Sequence, residues 1–412
     1  MIPYTRKTLP NGLTVVVNRD RASKLAAVNI LYRVGARNEN PARTGFAHLF
    51  EHLMFRGTRA VENFDLPVQM ASGDNNAFTN NDYTDFYITL PKDNLETALW
   101  LESDRMEGLD ITPAKLEAEK KVVIEEFRQR YLNQPYGDQT MLLRALAYKV
   151  HPYRWAAIGL ATDHIAGATL ADVESFYRAH YRPSNAILSI SADMEEERML
   201  ELAEKWFGGL PDTPRPAAPI PQEPPQEAPR REEVERDVPA TTVTVAYRMG
   251  TRTSPDFYTA DLVSDLLSGG DSGRLYRHLV KERRLLSSVN AYVTGDLDPG
   301  LFVFTGQLLP GVAPEAAEAA FRKEIEALRT DPISQYETEK VKNKFEANTL
   351  FGELNVMNKA MNLGFYEMLG DLPLINGEVA RYRAVSDEDI RAFCRSTLRP
   401  ENASTLIYKA RK

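Results

Sequence analysis

Two short apolar runs open the chain, Leu13 to Arg19 (Leu-Thr-Val-Val-Val-Asn-Arg) and Ala26 to Val34 (Ala-Ala-Val-Asn-Ile-Leu-Tyr-Arg-Val). Both are rich in β-branched residues and flanked by turn formers, which predicts two strands of one sheet. Gly45 to Phe55 has another pattern. It lacks proline and β-branched residues, and Leu49, Phe50 and Leu53 recur at helical spacing, so a helix packed on that sheet is expected. Asn75 to Thr89 reads as a hairpin around a polar Asn80-Asn81-Asp82 turn. Such a hairpin can offer an edge to a peptide, although taken alone its residues fit an ordinary solvated hairpin better. Thr112 to Asn133 reads as one long charged helix, with Thr112 as N-cap and Pro113 in the first turn. An amphipathic stretch (169–180), a strand (186–191) and a further helix (195–207) follow.

Between Pro211 and Pro239 prolines and glutamates crowd the sequence, a composition expected to form an extended linker rather than a core. The expected organisation is therefore one domain over 1–210, a linker over 211–239 and a second domain over 240–412. The flanking halves share a signature. Tyr32-Arg33-Val34-Gly35-Ala36-Arg37 and Tyr247-Arg248-Met249-Gly250-Thr251-Arg252 are both Tyr-Arg-x-Gly-x-Arg at a strand end, which points to an internal duplication.

With 412 residues, 43% of them hydrophobic, the chain is expected to be globular with more than one core. A net charge of −8 and the lack of a basic stripe argue against a nucleic-acid partner. The single cysteine, Cys394, cannot form an internal disulfide, and its helical surroundings favour a small buried side chain over a nucleophile. Neither a leader-like apolar run nor a membrane-length span is present, so no membrane association is expected. A cytoplasmic protein fits this, as does an exported one whose leader has been removed.

The chemistry concentrates in His48-Leu49-Phe50-Glu51-His52. On a helix, residues four apart share one face, so both imidazoles can grip one metal ion with Glu51 beside it. This H-x-x-E-H order is the inverzincin signature. It suits zinc hydrolysis, in which three protein ligands hold Zn²⁺ and a carboxylate takes a proton from water. The third ligand is to be sought on the 112–133 helix. Glu117 and Glu125 read as solvated surface, whereas Glu119 and Glu126 are two turns apart on one face that also carries Val122 and Val123. Either glutamate can complete the set, with the other bracing a ligand.

These residues resemble peptidase family M16, the group of pitrilysin, insulysin and mitochondrial processing peptidase, in its short two-domain subfamily. The resemblance spans nearly the whole chain. It rests on Gly35-Ala36-Arg37-Asn38-Glu39, on His48 to Thr58, on Asn76-Ala77-Phe78-Thr79, on Glu119 with Glu126, and on Gly269 to Leu275. It implies an α+β fold of two duplicated domains, each a mostly antiparallel sheet with helices packed on one face, and two such chains closing around a chamber. It further implies zinc held by His48, His52 and Glu126, with Glu51 as general base and Glu119 behind a ligand. Asn76 and Ala77 are expected to line the substrate edge.

One position departs from that pattern. Active members carry an Arg and a Tyr seven apart in the half without metal, where this chain has Val280 and Ser287. The resemblance is therefore to the metal-bearing subunit of a heterodimeric peptidase whose homologous partner supplies Arg and Tyr. A self-sufficient homodimeric peptidase and a non-catalytic structural homologue are the alternatives. Carrying the repeat offset forward places His48, Glu51 and His52 on Val263, Leu266 and Leu267, so the second half is expected to lack metal ligands.

Overall fold

The computed structural model describes residues 1–212 and 218–411. Its strands are β1 (Thr5–Thr8), β2 (Thr14–Arg19), β3 (Leu25–Tyr32), β4 (Asp74–Thr79), β5 (Thr84–Pro91), β6 (Ala186–Ala192), β7 (Arg230–Arg236), β8 (Thr242–Arg248), β9 (Leu286–Val293), β10 (Leu301–Leu308) and β11 (Ala403–Ala410). The helices are α1 (Phe46–Leu53), α2 (Asp65–Met70), α3 (Leu95–Glu107), α4 (Pro113–Phe127), α5 (Gln139–Ala147), α6 (Thr162–Ala166), α7 (Leu170–His180), α8 (Glu196–Phe207), α9 (Asp256–Ser268), α10 (Pro314–Thr330), α11 (Gln335–Gly352), α12 (Val356–Met368), α13 (Leu374–Ala384) and α14 (Asp387–Ser396).

Unit one comprises Met1–Arg128, Trp155–Ile220 and Leu350–Gly377. Its sheet has the order β1-β2-β6-β3-β5-β4, antiparallel throughout except for the β2/β6 pair. Helices α3 and α8 pack on this sheet, and α1 lies against β4, β5 and α4. A second layer comes from far along the chain. Helix α12 sets Val356 and Ala360 on Ala27, and Leu363 and Tyr366 on Val16, Leu31 and Ile187. The approach is close enough that a Cβ on Gly364 would meet Ser189 Oγ at 3.1 Å. Each aliphatic side chain buried there contributes about 1.5–3 kcal/mol.

Unit two comprises Gln129–Arg154, Pro221–Thr349 and Glu378–Lys412. Its sheet order is β7-β11-β8-β10-β9, again antiparallel except for one pair, β11/β7. Val243, Val245, Phe302 and Phe304 form a core with α9, α10 and α14 on one face. Ala246, Val303 and Leu406 receive Leu143, Leu146 and Ala147 of α5 on the other. Strand by strand, β7-β11-β8-β10-β9 repeats β2-β6-β3-β5-β4, including the position of the parallel pair. The duplication suggested by the Tyr-Arg-x-Gly-x-Arg signature is thus visible in the topology.

The expected boundaries differ from the observed units in two respects. Each half of the sequence contributes one helix to the other unit, α5 to unit two and α12 to unit one, so the units are not continuous segments. Apolar faces, not chain order, decide where those helices go. The expected linker also contains β7, while its residues 213–217 lie outside the described residues. β7 alternates exposed charged residues with half-buried ones at the sheet border, a sequence suited to an edge strand and easily read as solvated chain.

The expected long helix over 112–133 is α4 followed by a π-helical turn, Arg128–Leu132. Cys394 is buried in α14, and burial pushes its thiol up to about 12, which suits a packing role. Among the described residues no helix is long and apolar enough to cross a membrane.

Candidate metal centre

Helix α1 starts at Gly45, whose φ of 91° is a left-handed conformation that favours glycine. A Cβ there would also come within 2.7 Å of the Ile158 carbonyl oxygen. From that start Phe46, Leu49, Phe50 and Leu53 are buried, and the helix turns His48 and His52 toward α4. The two imidazole centroids lie 4.8 Å apart at an interplanar angle of 77°.

Helix α4 is capped by Thr112, whose side chain accepts from the Lys115 N–H. It brings Glu126 Oε2 to 3.7 Å from His48 Nε2 and 3.3 Å from His52 Nε2. Ligand atoms of His48, His52 and Glu126 all lie within 4.8 Å of one another. Glu119, one of the most buried carboxylates at 1% exposure, faces the other nitrogen, with Oε2 3.5 Å from His52 Nδ1. The two glutamates that spacing left equivalent differ in position. Glu126 shares the space between the imidazoles and Glu119 stands behind one of them.

The face shared by these glutamates also carries Val123, fully buried, but not Val122, which is 43% exposed. A 100° step per residue separates the two valines, and only one can point inward. Glu117 and Glu125 are exposed and ion-paired along the helix with Lys120 and Arg128. Arg56, inside the His48 to Thr58 run but given no role from sequence, pairs with Glu119. Its position four residues beyond His52, just past the end of α1, was the available signal.

Burial by itself lowers the pKa of His52. Hydrogen bonds to Glu119 and Glu126 outweigh burial, and with the Glu51 charge they push the group up to about 9. Carboxylate charge concentrated around two imidazoles is the field of a cation site. Two imidazole nitrogens and one carboxylate oxygen suit zinc, and the partial exposure of His52 and Glu126 leaves a side open to solvent.

Glu51 lies on α1 between the two histidines, and its charge is felt at His52, Tyr87 and Tyr181. Asn76 and Ala77 lie on β4, next to α1. β4 ends the sheet, and the Ala77 N–H donates to Asn76 Oδ1 at 2.9 Å. In unit two, Val280 packs half-buried against the core, and Ser287 is exposed, donating to the Gln307 carbonyl at 3.3 Å. Val263, Leu266 and Leu267 are buried on α9, the counterpart of α1, and offer no ligand atom.

The family described as insulinase (peptidase family M16) matches residues 14–155, and the peptidase M16 inactive domain matches 167–345. The zinc protease PqqE of Helicobacter pylori is 33% identical over 341 residues, covering 81% of this chain and 77% of that protein. A probable mitochondrial-processing peptidase subunit beta of Arabidopsis thaliana is 25% identical over 315 residues, covering 73% of this chain and 59% of its own. The crystal structure of a protease from Helicobacter pylori superposes with a TM-score of 0.95 at 29% identity, covering 99% of this chain and all of that one. On these matches, and on a fold of two like sheets, the chain belongs to peptidase family M16.

Proposed function

We propose that this chain is the metal-bearing subunit of a zinc endopeptidase, with His48, His52 and Glu126 as ligands and Glu51 as general base. The observation that carries the reading is the convergence of three ligand atoms from α1 and α4 within 4.8 Å. Zinc, when bound there, supplies Lewis acidity that brings the pKa of water at the site to about 7. Glu51 takes the proton of the attacking water and passes it to the leaving amine. Glu119 accepts from His52 Nδ1–H and keeps Nε2 available as a donor to the metal. The peptide adds as a strand beside β4, along Asn76 and Ala77, so that backbone hydrogen bonds hold it with little dependence on sequence.

Val280 has no side-chain donor and Ser287 only a short hydroxyl, so neither matches the Arg and Tyr expected to bind a developing oxyanion. One such donor is worth about 2.7–4 kcal/mol in the transition state. A homologous subunit that carries both completes the enzyme in this reading, and the Arabidopsis relative is itself named as a subunit. Peptide hydrolysis by the pure chain, alone and with a homologous partner, before and after zinc depletion, tests it. Expected is weak activity alone, a large gain with the partner, and loss of both on zinc removal. Full activity from the pure chain would make it a self-sufficient peptidase. Inactivity in every mixture, with zinc bound, would favour a non-catalytic homologue.

A further inference from the structure

We propose that Glu39 is a positioning residue that clamps the first turn of α1 and so sets where His48 presents its nitrogen, an inference that rests on reading His48, His52 and Glu126 as a metal site. The first amides of a helix have no partners within it. Here the residue at the helix start, Gly45, has no side chain to cap them. Glu39 takes that task from outside the helix. Its Oε2 accepts from the Gly45 N–H at 2.9 Å and its Oε1 from the Ala47 N–H at 2.8 Å. Each oxygen thus takes one of the two amides that flank Phe46, and the second of these precedes His48 in the chain.

The side chain is only 6% exposed. Burial pushes its carboxyl up to about 8, against the opposing pull of the Ala47 and Gly45 amides. Keeping an acid there is costly, and an apolar side chain would fill the space without that cost but would leave both amides without acceptors.

The consequence is specific to one ligand. Helix α1 is two turns long, with His48 in the first and His52 in the second. His52 is approached at both ring nitrogens, by Glu119 at 3.5 Å and by Glu126 at 3.3 Å, independently of the helix start, whereas Glu126 stands farther from His48 Nε2, at 3.7 Å. The loop before α1 has its own anchor as well. The Thr44 N–H donates to His164 Nδ1 at 3.1 Å, and Thr44 Oγ1 accepts from the Leu160 N–H at 2.8 Å. Loss of the Glu39 carboxylate therefore loosens the first turn, and with it His48, while loop and second turn stay in place.

Zinc affinity by chelator competition and amide exchange in the zinc-free chain together test this. Wild type is compared with Glu39→Ala, Glu39→Gln and Leu202→Ala, the last a buried residue of α8 chosen as a destabilised control. Expected is zinc binding ~10–100-fold weaker in Glu39→Ala. Glu39→Gln, which keeps one acceptor oxygen, is expected between Glu39→Ala and wild type, and Leu202→Ala at the wild-type affinity despite a lower melting temperature. The Gly45 and Ala47 amides should lose protection in both Glu39 variants. Wild-type affinity in Glu39→Ala, or an equal loss in Leu202→Ala, would overturn the inference. Absence of zinc binding in the wild type would overturn the metal reading, and unchanged exchange at Gly45 and Ala47 would separately overturn the clamp.

Discussion

Glu119 Oε2 lies 3.5 Å from His52 Nδ1, on the side of the imidazole away from the nitrogen that approaches Glu126. A carboxylate there fixes the tautomer, because Nδ1 carries the hydrogen it donates and Nε2 keeps its lone pair for a metal. Glu119→Ala is expected to weaken zinc binding ~10–100-fold without removing it. Chelator competition measures the change, and an unaltered dissociation constant would contradict the assigned geometry.

Glu126 differs from Glu119 in kind, since its oxygen lies between both imidazoles. Glu126→Gln keeps the shape and removes the charge of the proposed ligand, so its loss of zinc should exceed that of Glu119→Ala. Glu117→Gln, on the exposed side of the same helix, should retain the wild-type content. Metal analysis after dialysis decides, and equal zinc in the two glutamine variants would refute Glu126 as a ligand.

For Glu51 the expectation is reversed. A general base contributes ~10²–10⁴-fold to the rate, so in the role proposed for Glu51 the Glu51→Gln variant should lose that factor in kcat while zinc stays bound. Steady-state kinetics in the presence of the partner, with metal analysis of the same sample, separates the two effects. Loss of zinc in this variant would make Glu51 a ligand instead.

Ala77→Pro removes a backbone donor on the border strand β4, where the native N–H donates to Asn76 Oδ1. If substrate adds along this edge, KM should rise by about tenfold, the equivalent of one hydrogen bond. Unchanged KM and kcat would place the peptide elsewhere.

Glu337 gives a pH dependence in unit two. Arg274 grips it in a bidentate pair at 2.8 and 2.9 Å, Ser334 Oγ donates to it at 2.9 Å, and its carboxyl is held down at about 2. A native pKa below the ordinary 4.5 means that the contribution to stability is complete above 4.5 and is lost as pH falls from 4.5 toward 2. Glu337→Gln should therefore melt below wild type at neutral pH, and the gap should close on acidification. Thermal melts stepped down to about pH 3 test this; a gap independent of pH would show that packing, not charge, was lost.

The sequence by itself determined whatever depends on neighbours along the chain. His48 and His52 fall one turn apart because the helical period places them there, and the hairpin β4/β5 follows from its turn residues. Repeated strand ends disclosed the duplication, and the offset pairs His48, Glu51 and His52 with Val263, Leu266 and Leu267, which lie buried on α9. The tertiary structure decided what depends on how elements meet. Spacing made Glu119 and Glu126 equivalent, and only the packing of α4 on α1 placed one between the imidazoles and the other behind His52. Likewise α5 and α12 each cover a sheet built mostly by the other half of the chain, because an apolar face is buried wherever a complementary face exists, without regard to chain order. Strand β7 was illegible for the opposite reason: its charged side chains carry no burial signal, and its pairing rests on backbone hydrogen bonds to β11 that any sequence can make.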